Sequence, residues 1–375
     1  MGALDPLPVA APAIEALPLT TPFVAPEALA RGAGHAELLR LGANESPFGP
    51  APRAIDAMRA ELDRTCWYGD PESMELREAL AARHACGVEN ITVASGIDDL
   101  LGLAVRGYLA PGDVTVATLG SYPTYVYHVA GFGGRLDAVP YERDGSIALE
   151  RLAERARTTR ARLVYLANPD NPSGSFAPRR AVEALVEALP AGAALVLDEA
   201  YADFVEPQEL LGAAIDARVL RMRTFSKAYG MAGARIGYCL AAPAVVRTFQ
   251  KIRHHYGVNR TAQVGALAAL GERRFVDDAI AEIVRGREEY RALGERFGLS
   301  TLPSHTNFVC FDLGSRARAD AMVEELLRHA VFVRKPGMPP LDGHIRVTVG
   351  AASERARFAL AFGEALQALK AREPA

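Results

Sequence analysis

No run of lysines and arginines concentrates positive charge in this chain, and 42 basic residues against 45 acidic ones leave a formal net charge of -3. That lack argues against a nucleic-acid partner, whose binding rests on a basic face that releases counterions, while leaving room for a local basic pocket. No uninterrupted apolar stretch approaches the roughly 20 residues of a membrane span, so no membrane partner is expected. The first residues, M-G-A-L-D-P-L-P-V-A-A-P, carry an acid and several prolines where a secretory signal needs positive charge followed by an apolar run. Cysteine is scarce: Cys66, Cys86, Cys239 and Cys310 are scattered without CxxC or metal-ligand spacing. Reduced thiols in a cytoplasmic protein without a metal site are the expectation.

Several signatures are missing too. There is no G-x-x-x-x-G-K-S/T, so L-V-L-D-E at 195–199 is not the acidic strand of an ATPase, and no G-x-G-x-x-G, G-x-S-x-G or H-E-x-x-H occurs. Asp198 and Glu199 do not form a glycosidase pair, because adjacent strand residues face opposite sides.

What is present describes a globular protein, with half of its 375 residues hydrophobic. That length exceeds what one growing core accommodates. We expect an Ala/Pro-rich arm over 1–40, a large α/β domain over 41–255 and a smaller α+β domain over 256–375. Strands are predicted at Ile91–Ala94, Asp113–Ala117, Leu136–Pro140, Leu163–Ala167, Ala194–Leu197 and Val219–Thr224, mostly separated by helical patterns. Alternation of this kind predicts a largely parallel sheet covered on both faces, with its ligand crevice outside the strand carboxyl ends. One helix should begin with Asp70 as N-cap and Pro71 as its first residue, with Gly87 at C′ and His84 at the core edge. Past Tyr256, helices over Thr261–Leu270, Phe275–Phe297 and Arg316–Ala330 accompany an antiparallel-looking set, Asn307–Asp312, Val331–Arg334 and His344–Val349. A helix over Glu354–Leu369 closes the chain.

Chemistry gathers at the strand ends. N-P-D-N-P-S-G (168–174) follows one strand, D-E-A-Y (198–201) the next, and T-F-S-K (224–227) the third. Ser95 and Gly96 lead a strand into a helix, an arrangement whose free N–H groups cradle an anion. Asp98 and Asp99 on that helix would have to turn aside or engage another part of the ligand. In the ordered loop L-G-A-N-E-S-P-F-G-P (41–50), Asn44 is a candidate site residue. Tyr122, Tyr125 and Tyr127 compete as ring-stacking residues.

One assembly satisfies these features together. Lys227 would bond the aldehyde of a cofactor that carries a phosphate and a pyridine ring, and Asp198 would keep the ring nitrogen protonated so that the ring accepts electrons. Tyr201 and Asn171 would hydrogen-bond the ring hydroxyl and Tyr125 would stack on its face. The Gly96 cradle, Ser226 and Arg235 would hold the phosphate.

With these residues the chain resembles the fold-type I pyridoxal-phosphate enzymes and is similar to the histidinol-phosphate aminotransferases. The matching segments run from Leu41 to the last helix: A-N-E-S-P-F-G-P, W-Y-G-D-P, N-P-D-N-P-S-G, D-E-A-Y, T-F-S-K with Arg235 eight residues on, and H-I-R-V-T-V-G. The resemblance implies an α/β fold with a mostly parallel seven-stranded sheet between helices, plus a smaller α+β domain. It implies pyridoxal 5'-phosphate as cofactor and transamination of histidinol phosphate with 2-oxoglutarate. Aromatic amino-acid transamination, a threonine-phosphate-decarboxylase-like activity and a non-catalytic cofactor-binding protein are the alternatives. Catalysis would fall to Lys227, Asp198 and Tyr201. Ile97, Asp98 and Thr224 would join Gly96, Ser226 and Arg235 at the phosphate, and the P-T-Y match selects Tyr125 as the stacking ring. Tyr68 would reach the cofactor of a second subunit, which implies a homodimer. Asn44, Arg334 and Arg346 would meet the substrate, with Arg346 on its acidic group.

Overall fold

Residues 8–18 and 24–372 of the computed structural model are described, so parts of the expected arm, 1–7 and 19–23, lie outside the described residues. Eleven strands occur among the described residues: β1 Leu39–Arg40, β2 Ile91–Ala94, β3 Val114–Thr118, β4 Arg135–Val139, β5 Leu163–Ala167, β6 Ala194–Asp198, β7 Val219–Thr224, β8 Gly237–Leu240, β9 Phe308–Asp312, β10 Val331–Phe332 and β11 His344–Thr348. Seven form one sheet in the order β2-β8-β7-β6-β5-β3-β4. Within it β4, β3, β5, β6 and β7 run parallel, whereas β8 is antiparallel to both of its neighbours. Two reversals cancel, so β2 points the same way as β7. Gly96 therefore reaches the same sheet edge as Asp198 and Thr224.

The strands were expected at short segments dominated by apolar and β-branched residues, and β2, β5 and β7 have the expected bounds. β8 was not expected: G-Y-C-L is four residues long and opens with a glycine, and it pairs with β7 after only a short connection carrying Lys227. Helices cover both faces. Ile97–Tyr108 buries Leu100, Leu101 and Ala104 against one side, while Leu149–Thr159 and Arg179–Ala188 bury Leu152, Val182 and Leu185 against the other. At about 25 cal/mol per Å² of apolar surface removed from water, these two layers supply much of the drive to fold.

The helix expected from Pro71 begins later, at Met74. The Asp70 carboxylate accepts from the N–H groups of Glu72 (2.9 Å) and Met74 (2.6 Å), closing a turn ahead of the helix instead of capping its first residue. At the other end Ala85, in the left-handed region at φ 51°, is the terminator, and Gly87 is extended. His84 sits at the core edge, its ring 2.9 Å from the Tyr238 hydroxyl.

In the C-terminal part, β9 and β11 pair antiparallel over five residues. The expected third member divides its partners: β10 lies parallel to β1, and only the bridge between Arg334 and Arg346 joins its continuation to β11. The helices Arg273–Arg296, Arg316–Arg328 and Ala352–Lys370 enclose this sheet around Tyr290, Phe311, Phe358 and Phe362. Among the described residues no helix is long and apolar enough to cross a membrane.

Candidate active site

A crevice of about 220 Å³ opens at the carboxyl ends of β5, β6 and β7. Its wall includes Ile97, Asp98, Asn171, Asp198, Tyr201, Thr224, Ser226, Lys227 and Arg235, nine of the residues expected at the cofactor. They converge because parallel strands release their next residues at one edge, and because the β7–β8 connection folds back over that edge.

Lys227 is the central group. Its ammonium lies 5.7 Å from the centre of the Tyr201 ring and donates to the backbone oxygen of Asn44 at 3.1 Å. Burial, with the nearby Arg346 charge second, pulls its pKa down from 10.5 to about 8. A lysine held this way gives up its proton near neutral pH, as a nucleophilic or proton-transferring amine must. Asp198 is 5% exposed. It accepts from the Tyr165 hydroxyl at 2.8 Å and the Ala200 N–H at 3.0 Å. Burial outweighs those bonds and lifts its carboxyl to about 6. A buried cation placed against it would reverse that shift.

Gly96 stands at φ +87°, and a Cβ there would come 2.8 Å from the Arg235 guanidinium, so only glycine lets the backbone come this close. Asp98 does turn aside from the helix terminus: its carboxylate pairs with Arg235 at 3.2 Å, while Asp99 accepts from the Ser95 N–H. Thr224 donates to the Ser226 hydroxyl at 2.9 Å, and the Ser226 N–H returns a bond to Thr224. A glycine turn, a helix amino terminus, two hydroxyls and one arginine make a donor set suited to a phosphate. Together with the lysine and the buried carboxylate, they fit pyridoxal phosphate.

Tyr125 is a correction. It is 0% exposed, stacked on Tyr165 at 4.5 Å, with its hydroxyl on Thr115. Tyr122 lines the crevice instead. Tyr125 and Val129 are one turn apart on the buried face of the helix Pro123–Gly131, and that spacing is the signal that separates the two tyrosines.

Asn44 is also corrected. At φ 54° and 2% exposure it has no face left for a substrate. Its amide donates to the Tyr201 hydroxyl at 2.8 Å and accepts from Thr348 at 3.1 Å, and its carbonyl receives both Lys227 and Asn307. Asn44 orients the lysine and Tyr201. Asn307 and Tyr165, which the sequence reading did not single out, complete that support.

Arg346 donates to the Asn171 side chain and to the Gly42 carbonyl, while its Nε is buried without a hydrogen-bond partner. Its bridge partner Arg334 lies directly opposite. Like charges facing each other across strands are unfavourable, and burial followed by Arg346 lowers the Arg334 pKa. An anion between them would relieve the repulsion. Tyr68 is not among the residues that line the crevice: it is 78% exposed and packs at 4.5 Å on Tyr256.

The family model described as "Aminotransferase class I and II" matches residues 36–361. The histidinol-phosphate aminotransferase of Moorella thermoacetica is 33% identical over 91% of this chain and 88% of its own length. Histidinol-phosphate aminotransferase 1 of Thiobacillus denitrificans is 36% identical over 92% and 89%. The crystal structure of histidinol-phosphate aminotransferase from Sinorhizobium meliloti in complex with pyridoxal-5'-phosphate superposes with a TM-score of 0.92, at 43% identity, covering 96% of this chain and 97% of that one.

Proposed function

The chain belongs to the class I and II aminotransferase family, and from that premise we propose that it transfers the amino group of histidinol phosphate to 2-oxoglutarate, giving imidazole acetol phosphate and glutamate. The observation that carries this reading is the convergence of Lys227, with its lowered pKa, Asp198 and Arg235 on one crevice. Pyridoxal phosphate, when bound, supplies an electron sink for the carbon that loses its proton. Lys227 would hold its aldehyde and, once the donor's amine has taken that place, would serve as the free amine that carries the proton away from the donor's α carbon. Asp198 keeps a proton on the ring nitrogen by charge pairing. Asn171 and Tyr201 would hold the ring hydroxyl, and Tyr122, which lines the same crevice, would cover the ring. Gly96, Ile97, Asp98, Thr224, Ser226 and Arg235 surround the phosphate, the carboxylate of Asp98 orienting Arg235. Arg346, with Arg334 beside it, binds the substrate's acidic group, which the opposed guanidiniums favour.

A homodimer belongs to the same proposal. Tyr68 (78% exposed) and Tyr256 (56%) pack on each other at the surface, with exposed Trp67 (65%) next in the chain to Tyr68, and exposed aromatics of this kind mark interfaces. Tyr68 would reach the partner's cofactor phosphate from there. The cytoplasm is the proposed location, consistent with four free thiols. The division at 41–255 and 256–375 is retained as the domain proposal.

The test is a donor panel of histidinol phosphate, histidine, phenylalanine and tyrosine, each with 2-oxoglutarate, scored by glutamate formed. Histidinol phosphate should give the highest kcat/KM. A higher value for tyrosine or phenylalanine, or carbon dioxide released without glutamate, would reject the substrate assignment. Light scattering should return twice the chain mass, and Tyr68→Ala should weaken cofactor retention.

A further inference from the structure

Behind the sheet, away from the crevice, lies a larger cavity of about 680 Å³ that the proposed chemistry does not use. It falls within the range typical of small-molecule sites. Strand alternation builds it: Asp198 faces the crevice, while the next residue, Glu199, points to the rear, as do Arg221 and Arg223 on β7. Buried Glu199 accepts from Arg221 Nε and Nη2, both at 3.1 Å, and from Arg223 Nε at 3.0 Å. Burial would raise the Glu199 pKa, but Arg223 and Arg221 outweigh it and hold the carboxylate ionised. Arg221 spends a further N–H on the Gly212 carbonyl.

Arg223 differs. Among the described residues its two terminal nitrogens donate to no protein atom, and they are not sealed from the cavity. Across the same space the half-buried Asp203 carboxylate has no hydrogen-bond or ion-pair partner among the described residues, although it lies near enough to help hold Arg223 charged. The rim pair Arg273 and Asp277 satisfy each other at 2.7 Å. His84 contributes no charge, because burial and then the arginines drive its pKa to about 3. Apart from the exposed Arg83 and Glu206, the lining holds one open guanidinium fork and one open carboxylate, beside an apolar wall that includes Phe204, Leu210, Leu240 and Ile280.

We propose that this rear cavity is a second small-molecule site for an α-amino acid zwitterion with an apolar side chain, its carboxylate on the Arg223 fork, its ammonium on Asp203 and its side chain on the Phe204–Ile280 wall. A simple anion would leave Asp203 unanswered, and an amine would leave Arg223 so. The zwitterion answers Arg223 and Asp203 together and adds no net charge. The inference is independent of which donor the crevice transaminates.

The test is calorimetric titration of borohydride-reduced holoenzyme, which cannot turn over, with L-phenylalanine, 3-phenylpropanoate and 2-phenylethylamine as probes. L-phenylalanine should bind at one site more tightly than either truncated probe. Asp203→Asn, which removes no protein hydrogen bond and should melt like the parent, weakens L-phenylalanine about ten-fold or more and leaves 3-phenylpropanoate no weaker. Arg223→Lys keeps a cation on Glu199 but loses the fork, so both carboxylate-bearing probes weaken. Basal transamination by Asp203→Asn stays at the parent value. Absence of binding at about 10 mM probe, or equal affinity in parent and both variants, overturns the assignment.

Discussion

The lowered pKa of Lys227 can be measured without turnover. In the cofactor-free protein its ammonium ionises near 8, against 10.5 for an ordinary lysine. At pH 7 about one Lys227 in ten is then the neutral amine, against about one in three thousand, a gain of about 300-fold in nucleophile. Burial comes first among the causes and the Arg346 charge second; Asp198 acts in the opposite sense. Competitive acetylation by trace acetic anhydride reports the neutral amine directly, with exposed Lys251 as the internal reference. Labelling of the Lys227 peptide should rise about ten-fold per pH unit up to about 8 and then level off. Arg346→Met removes a cation and moves the midpoint up. Asp198→Asn removes an anion and moves it down. A Lys227 profile that climbs through pH 10, or a midpoint that ignores both variants, would refute the electrostatic account.

Three further outcomes follow from the geometry. Tyr122→Ala should weaken cofactor affinity about ten-fold through lost stacking, whereas Tyr125→Phe, which breaks only the bond to Thr115, should cost about 1 kcal/mol of stability and leave cofactor affinity alone; the reverse pattern in cofactor titrations and urea melts would restore Tyr125 to the ring. Asn44→Ala leaves the Tyr201 and Thr348 hydroxyls without their amide and puts alanine at φ 54°, so urea unfolding should register a loss of about 3 kcal/mol; Asn44→Gly should recover about 1 kcal/mol of it. Gly230 stands at φ +68°, and a Cβ there would meet the Gly49 carbonyl oxygen at 2.0 Å, so Gly230→Ala should lower stability by about 3 kcal/mol or more, while an unchanged melting temperature would show that the 49–50 backbone yields.

The fold was legible wherever the hydrophobic pattern is local. β5 is an unbroken apolar run bounded by turn residues, and a buried parallel strand needs nothing more; β7, V-L-R-M-R-T, keeps enough apolar and β-branched residues around its two arginines to show its bounds. β8 escaped because its four residues carry a weak period of two and its pairing is dictated by the return of the chain after Arg235. The parallel pairing of β1 with β10 escaped for a related reason: Leu39 and Val331 are nearly the whole chain apart, and two-residue strands leave no periodic trace. Helix ends failed by a few residues where the Asp70 carboxylate closed a turn that resembles a cap in sequence.

The candidate site divides along the same line. Asp198, Thr224, Ser226 and Lys227 follow directly from the rule that parallel strands deliver ligands at their carboxyl ends, so residue type and position together suffice. Asn44 does not follow, because its role depends on a left-handed backbone that turns its carbonyl toward a lysine 183 residues away. Arg223 shows where the rule extends. Once β7 is placed, period two assigns Thr224 to the front and Arg221 and Arg223 to the rear, and the D-E pair on β6 must split the same way. Two arginines sent to one buried face require a carboxylate there, and Glu199 is that carboxylate. Glu199 takes three N–H bonds from the two guanidiniums, so most of the Arg223 fork remains open. The charge pattern that makes the front of β6 and β7 a catalytic edge thereby equips their rear for a second ligand.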